Sequence, residues 1–219
     1  TSSDHVDNAF GGDLGSFFSP GWSPVDNRIL FASRSNNVTH LTVVNNGVQH
    51  DLVDDIQGLV SFLWSPDGKY VAYRIANRDT VSALYVVDST SGEIVARSNV
   101  TGVIAFFWSP DSEKIAYITL SNPPGSFDIN NRTVGDVTYL TQLVDGFAWN
   151  ILTIDDSSNM LSSSFVPTID VQYLFNNFDQ FAQSHSIWSP DSQYLVYGAL
   201  GGSDGDEALV TILDTTDTN

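Results

Sequence analysis

One short segment of the sequence has the spacing of a serine nucleophile. Residues 201–205 read Gly-Gly-Ser-Asp-Gly, which fits the Gly-x-Ser-x-Gly turn between a strand and a helix that exposes the catalytic serine of α/β-hydrolases. That chemistry also needs a histidine later in the chain, but none follows His185. The next apolar run, 208–213, has the composition of a strand rather than a helix. We therefore interpret the segment as an acidic turn, and we predict no catalytic residue.

Clusters of aspartate raise the question of a metal site. Asp54-Asp55, Asp155-Asp156 and the run 204–207 offer the carboxylate oxygens that calcium prefers. None of them has the spacing of an EF-hand loop, so solvated turns are the favoured interpretation and calcium stays an option without a motif. The four histidines are scattered and lack the spacing of zinc ligands. We therefore predict no metal and no other cofactor.

The overall composition excludes several classes of function. The 219 residues are 42% hydrophobic and 16% charged, as in a folded domain. A formal net charge of −18 opposes binding to nucleic acid and to anionic membrane surfaces. The apolar run 103–108 is too short for a transmembrane segment, and the absence of cysteine excludes disulfides and thiolate chemistry. Most of the 26 acidic residues are Asp, which favours turns over helices and indicates an all-β protein.

A repeated tetrapeptide, called the box below, organises the chain. Trp-Ser-Pro-Asp occurs at 64–67, 108–111 and 188–191, and a looser copy, Trp-Ser-Pro-Val-Asp, occurs at 22–26. The interval from Trp22 to Trp64 and the interval from Trp64 to Trp108 each match the length of a four-stranded propeller blade. Apolar or aromatic residues seven and nine positions after each tryptophan have the period of a strand. We expect a structural role for Trp22, Trp64, Pro66, Asp67, Trp108, Pro110, Asp111, Trp188, Pro190 and Asp191.

The box has the residues of a tight turn at the end of a strand. Proline fixes the backbone at the second position of a type I turn, and aspartate suits the third position. The tryptophan is large enough to fill the wedge between two neighbouring blades. A catalytic role for the serine or the aspartate is disfavoured, because a catalytic residue need not occur four times.

The sequence around the second box resembles a known repeat. Residues 64–73, Trp-Ser-Pro-Asp-Gly-Lys-Tyr-Val-Ala-Tyr, and residues 84–88, Leu-Tyr-Val-Val-Asp, resemble the repeat of TolB-type β-propellers. The same repeat occurs in the propeller domains of prolyl oligopeptidase-family enzymes. Residues 178–191, in which Phe-Asp-Gln and Ser-His precede the last box, also resemble a segment of TolB-like proteins. The resemblance implies a β-propeller and a location in the periplasm or outside the cell.

The repeats divide the chain into a lead-in, 1–19, and a β-propeller domain, 20–219. The third blade has an insertion at 121–146, and the last blade lacks its outer strand. Because four blades is the low end of the known range, we expect the chain to be part of a larger propeller. Missing sequence or another chain would then complete the last blade. The expected four-stranded blades are about 20–57, 58–101, 102–170 and, incomplete, 171–219.

The favoured function is a non-catalytic, TolB-like scaffold that binds a protein or a component of the cell envelope. Propellers bind through rim loops and through the mouth of the central channel. The expected contacts are Asp128 and Asp136 in the insertion, together with Asp179, Gln183 and His185 near the channel. His185 also fits a simpler role, as a histidine hydrogen-bonded to loop backbone. The acidic surface favours a basic partner.

Two other functions fit the same sequence. One is the substrate-gating propeller domain of a prolyl oligopeptidase-like hydrolase whose catalytic domain is absent from this sequence. The other is a structural subunit of a surface assembly, in which a neighbouring chain adds a strand beside residues 208–214. In neither case would this chain supply the nucleophile.

Overall fold

The computed structural model describes residues 20–35, 38–76, 81–120, 129–134, 137–142, 146–155, 158–167, 186–201 and 207–216. These residues form sixteen β-strands and no helix, so the all-β prediction is confirmed. Among them, accordingly, no helix is long and apolar enough to cross a membrane. The strands are β1 Gly21–Trp22, β2 Ile29–Ser35, β3 Val38–Asn45, β4 Val48–Ile56, β5 Leu59–Trp64, β6 Tyr70–Ala76, β7 Tyr85–Asp88, β8 Ile94–Arg97, β9 Ala105–Trp108, β10 Lys114–Leu120, β11 Ile129–Val134, β12 Val137–Gln142, β13 Phe147–Thr153, β14 Asn159–Pro167, β15 Tyr194–Gly201 and β16 Glu207–Asp214.

The first two sheets are four-stranded antiparallel meanders. β1 to β4 pair in chain order, and so do β5 to β8. In each sheet the first strand ends at a box tryptophan, Trp22 or Trp64, and the box forms the turn to the second strand. Four-stranded meanders that pack face to face are the architecture of propeller blades.

The third sheet has the same meander with an insertion. Its strands β9, β10, β13 and β14 lie side by side in that order. β10 and β13 pair directly along their length, up to Leu120 opposite Phe147. Between them in the chain, β11 and β12 form a separate two-stranded sheet. Within the described residues, no strand pairing joins this hairpin to the blade.

The last blade is curled onto the third one. β15 and β16 pair along eight residues, whereas the inner segment of this blade is described only as a bridge at Trp188. Over its described residues the blade is incomplete, as predicted. Residues 166–167 of β14 pair with residues 199–200 of β15, so six strands form one sheet where two separate blades were expected. Phe165 of β14 packs against Tyr197 of β15 at this junction, with ring centroids 4.6 Å apart.

The hydrophobic core lies in the seams, by which we mean the interfaces between consecutive blades. Alternate side chains of β6 point to opposite seams: Val71 and Tyr73 belong to the cluster shared with the first blade, and Ala72 belongs to the cluster shared with the third. Because side chains alternate along a strand, a blade with two buried faces needs apolar residues at nearly every position. The runs at 59–64 and 70–73 meet that requirement.

Each of the last three boxes folds as a tight turn. In the second box the amide of Gly68 donates to the carbonyl of Ser65 at 2.9 Å, as a type I turn requires. The carboxylate of Asp67 accepts hydrogen bonds from the Ser65 hydroxyl at 2.7 Å and from the Lys69 amide at 3.0 Å. The residue that follows the aspartate has a left-handed backbone, with φ values of 71° at Gly68, 65° at Ser112 and 60° at Ser192.

The turn at Gly92 gives a test of the seam between the first two blades. Gly92 has a φ of +74°, and an added Cβ would lie 2.4 Å from the carbonyl oxygen of Leu52 in β4. Gly47 has a similar φ of +79°, but nothing lies within 4 Å of its added Cβ. We expect Gly47→Ala to lower the free energy of unfolding by about 1 kcal/mol, the ordinary cost of a left-handed alanine. Gly92→Ala should cost at least about 2 kcal/mol more.

Urea unfolding followed by circular dichroism measures the two glycine variants side by side. Gly47→Ala is the matched control, because it carries the backbone strain without the collision. Equal losses of stability in the two variants would mean that the Gly92 turn does not pack closely against the first blade.

Candidate interaction surfaces

Each of the last three box tryptophans joins its blade to the preceding blade. Its indole N–H donates to a backbone carbonyl, and the acceptor is always the residue just before the box tryptophan of the preceding blade. The three hydrogen bonds are Trp64 to Gly21 at 3.3 Å, Trp108 to Leu63 at 3.4 Å and Trp188 to Phe107 at 3.0 Å. The repeat in the sequence is therefore a repeat of one contact between blades.

The serine and the aspartate of the box are occupied by structural hydrogen bonds. The amide of Asp111 donates to the hydroxyl of Ser192 in the next blade at 3.1 Å. Its carboxylate accepts from the hydroxyl of Ser109 and from the amide of Glu113. Burial of the Asp111 carboxyl opposes its ionisation, but these hydrogen bonds outweigh that effect and lower its pKa. Hydrogen bonds of this kind are those of a structural turn.

Arg28 connects the first two blades. Its guanidinium donates to the carbonyl of Gly68 and to the hydroxyl of Ser89, both at 2.7 Å, and forms an ion pair with Asp26 at 2.9 Å. It also lies over the ring of Trp64, 5.0 Å from the ring centroid. The hydrogen bonds from Arg28 lower the pKa of the Asp26 carboxyl. The sequence analysis did not identify this residue, although a basic residue two positions after the looser box was an available signal in so acidic a chain.

A groove of about 650 Å³ lies above this seam. Arg28 and Asp26 line it together with Asn45 and His50 of the first blade and Thr90 of the second. Its walls come from the box turn of the first blade and from the turns that join the third and fourth strands of the first two blades. The groove is mixed in polarity and open to solvent, and the hydrogen bonds of Arg28 are already made within the protein.

One group of side chains has the composition of a cation site. His40, Asp51 and Asp54 bring potential ligand atoms within 4.8 Å of one another on the hairpin of β3 and β4. Two irregularities in the pairing of these strands, near Leu41, place the three residues together. His40 is 3.2 Å from Asp54, and the hydroxyl of Thr42 donates to Asp51. These hydrogen bonds account for the arrangement without an ion, although the same atoms are suitable ligands for a divalent cation.

The antiparallel topology separates the loops onto two faces of the propeller. The boxes and the turns that join third and fourth strands lie on one face, called the box face. The connections between second and third strands lie on the opposite face, called the insertion face. The hairpin β11–β12 leaves from the insertion face, between Leu120 and Phe147. β14 also ends on this face, because it runs antiparallel to β13.

The binding residues predicted from the sequence lie outside the described residues. Asp128 directly precedes β11, and Asp136 lies between β11 and β12 in the chain. Asp179, Gln183 and His185 belong to the segment between β14 and Trp188. Both segments connect to strand ends on the insertion face. These five residues therefore remain predictions.

Solved structures resemble this chain over most of its length, whereas no family model and no curated protein matches it. TolB from Acinetobacter baumannii is 17% identical, with a TM-score of 0.52 over 92% of this chain and 41% of its own. An uncharacterized protein from Listeria monocytogenes is 13% identical, with a TM-score of 0.53 over 90% of this chain and 50% of its own. The acylaminoacyl peptidase of Pyrococcus horikoshii is 12% identical, with a TM-score of 0.56 over 90% of this chain and 30% of its own.

These similarities concern the fold. This chain spans half or less of the length of each of the three proteins. At such low identity a shared architecture carries no information on activity. The boxes, the meander blades and the structural matches agree with one another. The chain has the β-propeller fold that TolB-like proteins share with the propeller domains of prolyl oligopeptidase-like peptidases.

Proposed function

We propose that this chain is a non-catalytic scaffold whose insertion face binds a protein partner. The observation that carries the proposal is the hairpin β11–β12. It forms a sheet of its own, while the strands on either side of it, β10 and β13, pair directly with each other. The blade does not use the hairpin for its own pairing, so the hairpin is available for another role. Recognition is the usual role of a long ordered loop on a rigid scaffold.

Charge supports a basic partner. The net charge of the chain is −18, and the insertion contributes Asp128 and Asp136 next to the strands of the hairpin. Asp179, Gln183 and His185 would extend the contact along the same face. Attraction between opposite charges speeds association and weakens as salt rises. The resemblance to TolB further supports a location in the periplasm or outside the cell.

Two features support a scaffold rather than an enzyme. The serines of the last three boxes hydrogen-bond within their own turns. The segment 201–205, with its serine spacing, is followed in the chain by the strand β16, where a hydrolase would have a helix after the serine. Both features disfavour a nucleophile.

A selection of binding peptides tests the proposal. A phage-displayed library of random peptides is panned against the whole chain and against a variant in which a short glycine–serine turn replaces residues 122–145. Because Leu120 and Phe147 are paired, this deletion should leave the blade folded. We expect peptides rich in Lys and Arg that bind the deletion variant at least about tenfold more weakly, with affinities that fall as salt rises.

Single charge reversals refine the test. Asp128→Lys and Asp136→Lys should each weaken binding of the selected peptides, whereas Glu93→Lys, in an exposed turn of the box face, should not. Circular dichroism checks that every variant is folded. Peptides that bind the deletion variant as tightly as the whole chain would refute a role for the hairpin.

A second candidate is the substrate-gating propeller domain of a hydrolase. The similarity to the Pyrococcus horikoshii peptidase favours this second candidate. The match covers only 30% of that peptidase, so the matched fold is one part of a longer enzyme. The intact mass of the native polypeptide separates the candidates. A mass about three times the 23.9 kDa of this chain, or more, would leave room for a catalytic domain. A mass near 23.9 kDa would rule out a hydrolase.

A further inference from the structure

A small group of side chains on the hairpin of β3 and β4 combines one imidazole with two carboxylates. The potential ligand atoms of His40, Asp51 and Asp54 all lie within 4.8 Å of one another. In the part of the chain that the structure describes, no other three histidine, cysteine or acidic side chains come together in this way. One nitrogen and two oxygens form the ligand set of a metal centre, whereas a solvated acidic turn would offer oxygens alone.

An extra residue in β4 brings the imidazole opposite a carboxylate. Asp51 lies opposite Thr42, and the irregularity that follows shifts the register of β4 by one residue. Asp54 therefore comes opposite His40, where a regular ladder would place Val53. His40 and Thr42 lie on the same side of β3, because side chains alternate along a strand. The shifted register thus gathers the three potential ligands on one side of the hairpin.

The spacing within the group suits a transition-metal ion. Nδ1 of His40 lies 3.2 Å from Oδ1 of Asp54. Two ligand atoms of a tetrahedral zinc ion are about 3.3 Å apart, given zinc–ligand bonds of about 2.0–2.1 Å. The carboxylate of Asp51 accepts a hydrogen bond from the hydroxyl of Thr42, in the manner of the outer groups that orient metal ligands. The hydrogen bonds of the group therefore hold its ligand atoms near the positions that an ion requires.

We propose that His40, Asp51 and Asp54 bind one zinc ion. Imidazole is a good ligand for zinc, whereas calcium and magnesium prefer oxygen ligands. A divalent cation also offsets the repulsion between two close carboxylates in a chain whose net charge is −18. Three protein ligands leave the fourth position of a tetrahedral ion to water or to another donor. All three ligands belong to one hairpin, so the proposal requires no second chain and is independent of the proposed function.

Isothermal titration calorimetry with zinc chloride tests the site in the whole chain, after a chelator has removed any bound metal. We expect one zinc ion per chain, with a dissociation constant below about 50 µM. Calcium at about 1 mM should compete little, because one of the ligands is a nitrogen. Zinc should also raise the midpoint of urea unfolding, since a ligand that binds only the folded chain stabilises it.

Substitutions locate the bound ion. Loss of any one ligand should weaken zinc binding at least about tenfold, and the variants are His40→Ala, Asp51→Asn and Asp54→Asn. Asp55→Asn is the matched control, because it removes the neighbouring carboxylate, which is not in the group. His50→Gln is a second control, since this histidine lies on the same hairpin but outside the group. Both controls should bind zinc as the unmodified chain does.

Three outcomes would refute the zinc site. One is a dissociation constant of the whole chain above about 50 µM. Another is an affinity that His40→Ala leaves unchanged, because the ion would then bind to the acidic surface alone. The third is an equal loss of affinity in Asp54→Asn and Asp55→Asn, because binding would then follow total charge. Circular dichroism checks that each variant is folded, and the three ligand variants test the site independently of one another.

Discussion

Trp149→Ala is expected to lower the free energy of unfolding by about 3–5 kcal/mol, the usual cost of removing a large buried aromatic ring. Trp149 is fully buried in β13 and lies at the centre of an aromatic group. It stacks on Phe165 with centroids 6.1 Å apart, and it contacts Tyr197 at 5.6 Å and Phe107 at 6.2 Å. These rings belong to four strands on both sides of the last seam. An empty space here would loosen the third and fourth blades together.

Equilibrium unfolding in urea measures the effect of Trp149→Ala, and Trp22→Ala is the matched control. The control removes the same ring from an exposed position, so it should change stability by about 0.5 kcal/mol or less. Circular dichroism is the preferred signal, because both variants alter tryptophan fluorescence directly. Similar losses in the two variants would contradict the central position of Trp149 in the core.

Arg28→Ala should lower the free energy of unfolding by about 2–4 kcal/mol. The substitution removes the charged guanidinium, and several hydrogen-bond acceptors in one seam then lose their donor. The guanidinium reaches Gly68 and Ser89 of the second blade and lies over Trp64. Arg28→Lys keeps the charge but loses the planar group that makes both bonds at once, so it should recover only part of the loss.

Asp26→Asn separates the contribution of the ion pair from that of the seam. The Asp26 side chain is 42% exposed, and an ion pair at the surface contributes about 1 kcal/mol or less. The bonds of Arg28 to the second blade remain in this variant. Urea unfolding of the three variants gives the comparison. A loss in Asp26→Asn as large as that in Arg28→Ala would show that Arg28 acts through the ion pair alone.

The blades could be predicted from the sequence because their signals are local. A tryptophan at the end of a strand, a Ser-Pro-Asp turn and apolar residues of period two all lie within about ten residues of one another. The contact of β14 with β15 has no such signal. It depends on Phe165 meeting Tyr197 across a stretch of chain without a repeat. Contacts of that kind become visible only in three dimensions.

The candidate sites likewise depend on contacts that have no local signal in the sequence. His40, Asp51 and Asp54 come together because the pairing of β3 with β4 is irregular near Leu41, and no spacing in the sequence reveals such an irregularity. Arg28 was visible as a basic residue, but its partners are 40 and 61 positions away. The insertion at 121–146 was recognisable as an interruption of the repeat, whereas its hairpin was not.

The direct pairing of β10 with β13 has a consequence for how this protein can change over evolution. The two ends of the insertion, at Leu120 and Phe147, are held side by side by the blade itself. The entropy of closing the loop grows only slowly with its length, so longer or shorter inserts cost the fold little. Mutations, deletions or whole foreign segments can then be exchanged at this point while the propeller keeps its shape. One blade thus offers a place where new specificities can arise at little risk to stability.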